Sequence, residues 1–199
     1  MDPNPEQDLQ ALTDENFESA AKILGCEVAV IKAVAEVKSG HHGGFCPDGF
    51  PVILFEGHIF ARYTKDVYSK NYPTISYPKW TKEFYAKTWE SERERFKLAI
   101  SLNHNAALMS TSWGRFQVMG FNFGLCDCVT IQQFVNRMCK NEMHQLDLFC
   151  KYIIHTGLDD ELRNMQWHEF ARRYNGPLYM KNSYSSRLEQ AYQRNGGTA

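Results

Sequence analysis

Residues 30–58 read VIKAVAEVKSGHHGGFCPDGFPVILFEGH and contain two glutamates, Glu36 near the start and Glu56 near the end. The apolar run before Glu36 predicts a helix, and the apolar run before Glu56 predicts a short strand. Charged side chains are rarely buried unless they are paired, so a carboxylate at the end of an apolar helix is a costly placement. Desolvation disfavours its ionised form, which lets a carboxylic acid stay protonated near neutral pH and act as a general acid. We therefore predict that Glu36 and Glu56 face each other across a cleft.

The composition is that of an ordinary globular protein. The 199 residues are 43% hydrophobic and 23% charged, with a formal net charge of −1. This length and balance favour one domain over residues 1–199 with a sizeable core, in which residues 1–12 and 196–199 are peripheral. Because no long basic block is present, the sequence does not indicate binding to nucleic acid.

No segment of the sequence predicts export or membrane insertion. Residues 1–10 are polar and acidic, without the basic and apolar regions of a signal peptide. No apolar run approaches the roughly 20 residues that a membrane span needs. The six cysteines are therefore expected to be reduced thiols in a protein made in the cytoplasm. Cys126 and Cys128 lie one residue apart, which is not the spacing of a zinc site.

Apolar periodicity and capping residues predict a mainly helical chain. A capping box at Thr130 opens a helical pattern that continues to Gly157, either unbroken or divided near Lys140–Asn141. Ser91 is predicted to cap a highly charged helix whose Glu and Arg residues form a solvated face. A strand is predicted over 51–55, and helices are predicted over about 14–24, 27–38, 55–63, 91–102, 103–109, 130–157, 159–165, 167–174 and 183–193.

The stretch 68–89 lacks a regular pattern but is rich in Tyr, Trp and Phe, with two prolines among them. Two interpretations are open. The aromatic side chains could form a flap that binds substrate. They could equally anchor a surface excursion to the body of the protein, since aromatic residues mostly contribute buried area.

Three fragments occur in a fixed order: AEVKSG at 35–40, SWGRFQVMG at 112–120 and RRYNGP at 172–177. Together they resemble the three motifs of lysozyme-like peptidoglycan glycosidases. The chain is most similar to the N-acetylmuramidase domain of phage endolysins, in which LFEGH at 54–58 also has a counterpart. The resemblance covers roughly residues 20–193.

This resemblance implies a mainly helical, lysozyme-like domain with a small β-hairpin element near residues 45–55. It implies an enzyme that hydrolyses the β-1,4 bond between N-acetylmuramic acid and N-acetylglucosamine in bacterial peptidoglycan, as a monomer and without a cofactor. It further implies a phage lysis enzyme, which stays in the host cytoplasm until the inner membrane is permeabilised.

Two carboxylates suit this chemistry, because the leaving oxygen needs a proton and the opposite face of the sugar needs a carboxylate. Glu36 is predicted to be the acid, with its pKa raised by Val34, Val37 and Trp113. Glu56 is predicted to be the second carboxylate, although it could instead hold the strand–helix corner by accepting backbone or arginine hydrogen bonds. A carboxylate separation of about 5 Å would indicate a retaining enzyme, and one of roughly 6.5–9.5 Å an inverting enzyme.

The remaining motif residues are expected to bind the sugar. Ser112 and Gln117 are predicted to hydrogen-bond an amino sugar, and Trp113 to stack on it. Gly114 would let the backbone approach closely. Tyr174 is expected to orient Glu36 or a sugar hydroxyl, and Asn175 is expected to hold the backbone of the cleft wall.

One departure from the family pattern concerns position 38. Relatives of this type often have Glu-x-Glu-Ser where this chain has Glu36-x-Lys38-Ser39. If the second of those acids were the catalytic one, Lys38 would abolish activity.

Other functions remain open at this point. A lytic transglycosylase would use a single glutamate and form a 1,6-anhydro product. A non-catalytic wall-binding or virion module would keep the cleft without the chemistry. A Cys–His nucleophile pair has no recognisable context in the sequence. A metal site is disfavoured because two histidines at helical spacing are missing; its candidate ligands are His41, His42, Cys46, Glu56 and His58.

Overall fold

The computed structural model describes residues 11–176, 180 and 183–198, and the described residues are mainly helical, as predicted. Pro177 of the RRYNGP fragment and residues 1–10 and 199 of the expected peripheral ends lie outside the described residues. Most predicted helices are present within a residue or two. The helices are α1 (Asp14–Leu24), α2 (Val28–Ser39), α3 (Gly57–Tyr63), α4 (Trp89–Leu102), α5 (His104–Met109), α6 (Ile131–Met138), α7 (Glu142–Thr156), α8 (Asp159–Arg163), α9 (Trp167–Asn175) and α10 (Tyr184–Arg194).

The long helical pattern after Thr130 forms two helices, α6 and α7, rather than one. Asn141 separates them because its side chain accepts a hydrogen bond from the His144 amide at 3.0 Å and so caps the start of α7. Beyond this break α7 runs through the hydrophobic core, where Leu148 and Ile153 are fully buried. The divided alternative of the prediction is therefore confirmed.

Helix α2 is buried along most of its length and packs between α1 and α10. Its alanines are small enough for these neighbours to approach closely. Ala33 and Ala35 are both almost inaccessible to solvent. The helix ends at Gly40, whose amide donates to the Glu36 carbonyl. This packing fixes the direction in which each side chain of the last turn points.

A small antiparallel sheet lies beside these helices and has the strand order β1 (Ile53–Phe55), β2 (Thr111–Trp113), β3 (Val118–Met119). Ile53 lies opposite Trp113. The small β element predicted near 45–55 is present, and its strand β1 pairs with residues 111–113. Within 45–55 a single antiparallel bridge joins Phe45 to Pro51, and a proline has no N–H with which to extend a ladder.

Helix α4 differs from its prediction in its start and in its exposed face. Thr88 caps it, and Ser91 is the third helical residue of the capping box rather than the cap. Glu92, predicted to be solvated, is 5% exposed. The physical reason is that α4 packs against β1, which turns Glu92 toward the Phe55 amide, from which it accepts a hydrogen bond of 2.8 Å.

Two further expectations concern membranes and thiols. None of the described helices combines the length and the apolar character needed to cross a bilayer. The six cysteines are free thiols in the structure.

Candidate active site

The end of α2 presents two different side chains to two different neighbours. Each helical residue advances by about 100°, so Glu36 and Lys38 lie roughly 200° apart around the helix. Only one of them can therefore face a given cleft. The contacts of each side chain show which one does.

Glu36 faces the C-terminal end of α10. Its Oε1 accepts hydrogen bonds from Arg194 Nε at 3.0 Å and Nη2 at 2.6 Å, and its Oε2 accepts one from Asn195 Nδ2 at 2.9 Å. It shares a polar pocket with Lys32 and Arg115. The apolar surroundings predicted for this carboxylate are therefore wrong. Its predicted catalytic role stays a prediction, now for a residue that is ion-paired to α10.

Lys38 makes the contacts that were expected of Glu36. Its Nζ donates a hydrogen bond to Asn175 Oδ1 at 2.6 Å. The same ammonium lies 4.5 Å from the ring centroid of Tyr174 and 5.4 Å from that of Tyr184, within the range of cation–π attraction. Burial of the amine, together with the neighbouring charge of Arg187, lowers the pKa of Lys38 to about 7.

Tyr174 and Asn175 hold this lysine from the end of α9. The Tyr174 hydroxyl donates to the Phe116 carbonyl at 2.8 Å, and burial raises the pKa of the phenol well above its usual value. The Asn175 amide donates to the Ala171 carbonyl at 3.1 Å, which leaves its oxygen directed at Lys38. The two residues therefore orient the residue from α2 that faces them.

Glu56 follows β1 directly and precedes α3, and its side chain is 15% exposed. The Tyr85 hydroxyl reaches both carboxylate oxygens, at 2.8 and 2.9 Å. His58 Nδ1 lies 3.3 Å from Oε2. These partners are a phenol and an imidazole, not the backbone amides or arginine expected of a purely structural corner.

The aromatic stretch reaches Glu56 through Tyr85. Trp80 Nε1 donates to the Tyr85 hydroxyl at 3.2 Å. Trp80 thus helps to orient the hydroxyl that donates to the Glu56 carboxylate. Burial and the charge of Glu56 raise the pKa of Tyr85, which keeps its proton on the phenol. Elsewhere Tyr77 is buried and anchors the stretch. The anchoring interpretation thus holds for Tyr77, and contact of the stretch with a sugar stays a prediction.

Gly57 lets the aromatic stretch pack closely against the start of α3. A Cβ at this position would lie 2.3 Å from Tyr77 Cε1 and 2.5 Å from the Ile75 carbonyl oxygen, distances at which the backbone would have to move. The aromatic stretch therefore lies directly against the start of α3, beside Glu56.

Ser112 and Gln117 bind each other and the neighbouring backbone. The Ser112 hydroxyl donates to Gln117 Oε1 at 2.8 Å, and Gln117 Nε2 donates to the carbonyls of Gly114 at 2.8 Å and Val52 at 3.2 Å. Gln117 has a φ of 52°, a strained value for a residue with a side chain. These bonds tie the turn between β2 and β3 to the segment before β1, so both residues stabilise the sheet.

Two other residues of the fragment do not have their predicted positions. Trp113 is 1% exposed, packs edge-on against Phe96, and donates its indole N–H to the Leu108 carbonyl at 3.2 Å. Stacking of Trp113 on a sugar is therefore a wrong prediction, because a hydrophobic ring facing the core is more stable there. Gly114 has a φ of +69°, and a Cβ there would lie 2.5 Å from the Gln145 side chain. Its close neighbour is thus a glutamine side chain of the protein itself.

Tyr184 connects the two sides of the site. It lies at the start of α10 beside Lys38, and burial followed by the negative charge of Glu56 raises the pKa of its phenol. The charge of Glu56 thus contributes to the raised pKa of Tyr184. We refer to the candidate site that Lys38, Tyr184, Glu56 and Tyr85 contribute as the cleft.

Sequence reasoning missed part of this cleft. It noted Lys38 only as a departure from the family pattern, and it included Tyr85 only as one member of an aromatic stretch. His58 was considered only as a metal ligand. The tyrosine at 184 carried no signal in the sequence, since its position depends on how α10 packs.

The alternative chemistries find no support in the geometry. Burial raises the pKa of Cys46 to about 11 and that of Cys126 to about 12, which disfavours the thiolate that a nucleophile needs. The side chain of the candidate ligand His41 lies outside the described part of the structure. Among the side chains that are described, no three of His, Cys, Asp or Glu are grouped as metal ligands.

Comparison with known proteins places this architecture in a family. A family profile described as N-acetylmuramidase matches residues 27–196. Among solved structures, the crystal structure of Burkholderia AP3 phage endolysin is similar to this chain, with a TM-score of 0.82 and 35% sequence identity. The similarity covers 94% of this chain and 72% of that chain. No curated protein sequence matches significantly.

The two matches agree with the motifs and with the fold. They confirm the predicted lysozyme-like fold class and the predicted glycosidase class. The order of the fragments in the sequence and the assembly of helices around a small sheet thus have one explanation: the chain belongs to the N-acetylmuramidase family of peptidoglycan-cleaving enzymes.

Proposed function

We propose that this chain hydrolyses the β-1,4 bond between N-acetylmuramic acid and N-acetylglucosamine, with the glycan strand bound in the cleft and Glu56 as its carboxylate. It acts as a monomer of one domain and needs no cofactor. It is made in the cytoplasm of a phage-infected host and reaches the cell wall when the inner membrane is permeabilised.

The observation that carries this proposal is the environment of Glu56. Its carboxylate is largely shielded from solvent, yet its hydrogen bonds come from one phenol, Tyr85, at 2.8 and 2.9 Å. A glycosidase needs a carboxylate that either attacks C1 or activates a water molecule. Within the described part of the chain, Glu56 is thus oriented by a phenol and is not hydrogen-bonded to an arginine, which suits it to either role.

Other predicted residues support the cleft rather than the sugar itself. Ser112 and Gln117 brace the sheet below Glu56. Tyr174 and Asn175 hold the lysine on the other side. In this proposal Glu36 stabilises the packing of α2 on α10.

A second candidate is a lytic transglycosylase, which uses a single carboxylate. One observation favours it: α2 directs Lys38 toward the cleft, where a second carboxylate would otherwise lie. In that reaction the sugar's own hydroxyl displaces the leaving group, and no water is added.

The experiment is mass spectrometry of the fragments released from purified peptidoglycan by the wild-type chain. Hydrolysis gives fragments with free reducing ends, whereas the transglycosylase gives 1,6-anhydro products that are lighter by one water. Binding to peptidoglycan with no released fragment of either kind would contradict both and favour a non-catalytic module.

A further inference from the structure

We propose that Lys38 donates the proton to the leaving glycosidic oxygen, and that the cleft of this chain therefore pairs an amine with a carboxylate. This inference rests on the proposed function, since it assigns the second reacting group of the same site. It concerns the side chain at the end of α2 that the structure directs toward the cleft.

The contacts of Lys38 hold its amine in place and include one hydrogen bond donated by the amine. One N–H is donated to Asn175 Oδ1 at 2.6 Å. An ammonium has three donors, and the other neighbours of this one are two aromatic rings, those of Tyr174 and Tyr184. Ring faces attract the cation but do not accept its proton as a base would. The residue as a whole is partly exposed at the end of α2, while its amine is buried among these groups.

Charged and titratable neighbours set the strength of this acid. From α9 the facing group is Tyr174, and from α10 they are Tyr184 and Arg187. Both phenols have raised pKa values and stay neutral at pH 7. Burial and the Arg187 guanidinium lower the pKa of Lys38 to about 7. A general acid is most effective when its pKa lies near the working pH, and an ordinary lysine would hold its proton too tightly.

The proposed step balances in atoms and charge. The ammonium of Lys38 transfers a proton to the glycosidic oxygen as the bond between C1 and that oxygen breaks, and both electrons of the bond remain on the oxygen. A water oxygen forms the new bond to C1 and gives its proton to the carboxylate of Glu56. Exchange with solvent then restores the ammonium and the carboxylate.

Three substitutions at position 38 test this role against peptidoglycan at pH 7. Lys38→Met removes the proton, and Lys38→Arg keeps a charge that does not dissociate at neutral pH. We expect both to lower kcat by about 10²-fold or more, while co-sedimentation with peptidoglycan changes little. Lys38→Glu supplies a different acid and is expected to retain cleavage, with its activity declining at a lower pH than that of the wild type. The matched control is Lys32→Met, on the same helix but paired to Asp14 at 2.7 Å.

Two outcomes would overturn the assignment. The first is a Lys38→Met or Lys38→Arg variant that cleaves within threefold of wild type. The second is a wild-type chain that releases nothing while Lys38→Glu does, since Lys38 would then block the reaction. The first outcome leaves the proposed function standing, because the variant still cleaves peptidoglycan. The second outcome contradicts the proposed function of the wild-type chain as well. Full activity in Glu56→Gln would contradict the proposed function and not the role of Lys38.

The pH dependence of the free energy of unfolding provides a test that does not depend on activity. The unfolded chain binds the lysine proton up to about pH 10.4, whereas the folded chain releases it near pH 7. Between these values the unfolded state binds more protons, so wild type should gain stability relative to Lys38→Met as the pH rises from 7 to 10. A constant difference in unfolding free energy across that interval would show an unshifted lysine and overturn the proposal.

Discussion

Two carboxylates, those of Glu92 and Glu56, lie beside the end of β1 and have hydrogen-bond partners of different kinds. Glu92 accepts hydrogen bonds from the amides of Phe55 at 2.8 Å and Ala86 at 3.1 Å, and it forms an ion pair with Arg95 at 2.8 Å. Glu56, the residue after Phe55, accepts from the Tyr85 phenol and lies near the His58 imidazole. Both side chains are largely shielded from solvent.

The difference teaches how to separate a structural acid from a reactive one. Glu92 has its acceptor capacity filled by backbone amides and a guanidinium, so it joins β1, the aromatic stretch and α4. Glu56 is oriented by one phenol, that of Tyr85, and belongs to the cleft. Burial alone does not distinguish the two carboxylates, whereas the chemistry of their partners does.

The largest expected effect is on turnover. Glu56→Gln keeps the shape of the side chain but removes the charge, and we expect kcat on peptidoglycan to fall about 10³-fold, equivalent to about 4 kcal/mol. Fragment release measured by mass spectrometry gives the rate. The melting temperature should change by only a few degrees, and a large loss of thermal stability with unchanged kcat would make Glu56 a structural residue like Glu92.

The next effect is on stability. Glu92→Gln leaves Arg95 without its charged partner and weakens two buried backbone contacts, so we expect the free energy of unfolding to fall by about 3 kcal/mol. For a chain of this size that lowers the melting temperature by roughly 6–12 °C. Glu94→Gln is the control, because its ion pair with Lys97 is exposed on both sides and is worth about 0.5 kcal/mol. Equal melting temperatures for the two variants would contradict the comparison.

A smaller effect is expected where the aromatic stretch meets the cleft. Tyr85→Phe removes the hydroxyl that orients Glu56, and we expect kcat to fall about 10-fold, since one oriented hydrogen bond to a charged group is worth roughly 1.5 kcal/mol. KM should change less than kcat. Tyr63→Phe, a tyrosine that is 39% exposed, is the control. A change confined to KM would instead make Tyr85 a sugar-binding residue.

The smallest effect is expected at Glu36, the residue that the sequence analysis predicted to be the catalytic acid. Glu36→Gln breaks a pair in which Arg194 is 57% exposed, so we expect a stability loss below about 1 kcal/mol and cleavage within about twofold of wild type. The same peptidoglycan assay measures it. A loss of 100-fold or more would restore Glu36 as the catalytic acid and remove Lys38 from that role.

Local rules predicted the helices well because the signals are local. Thr13 caps α1 and Thr130 caps α6, as hydroxyl residues before an apolar periodic run should. The partner of β1 was not predictable in this way. Residues 53–55 pair with residues 111–113, and no neighbouring turn sets that pairing.

The sequence predicted which segments form the site but not which way their side chains point. The sequence located the segments around residues 36, 56, 112 and 174, and all four contribute residues to the cleft or its support. Periodicity gives the angle between Glu36 and Lys38 but not which of them faces inward. That choice depends on whether α9 or the end of α10 lies beside each side chain.

By itself, the sequence determined the family through the order of its short motifs, and the helices through apolar periodicity and capping residues. Both signals depend only on residues that are close to each other in the chain. Only the tertiary structure decided that Trp113 belongs to the core, that Glu92 is buried, and that a lysine and a glutamate border the cleft. These outcomes depend on which helix packs against which strand, and such contacts join residues far apart in the chain.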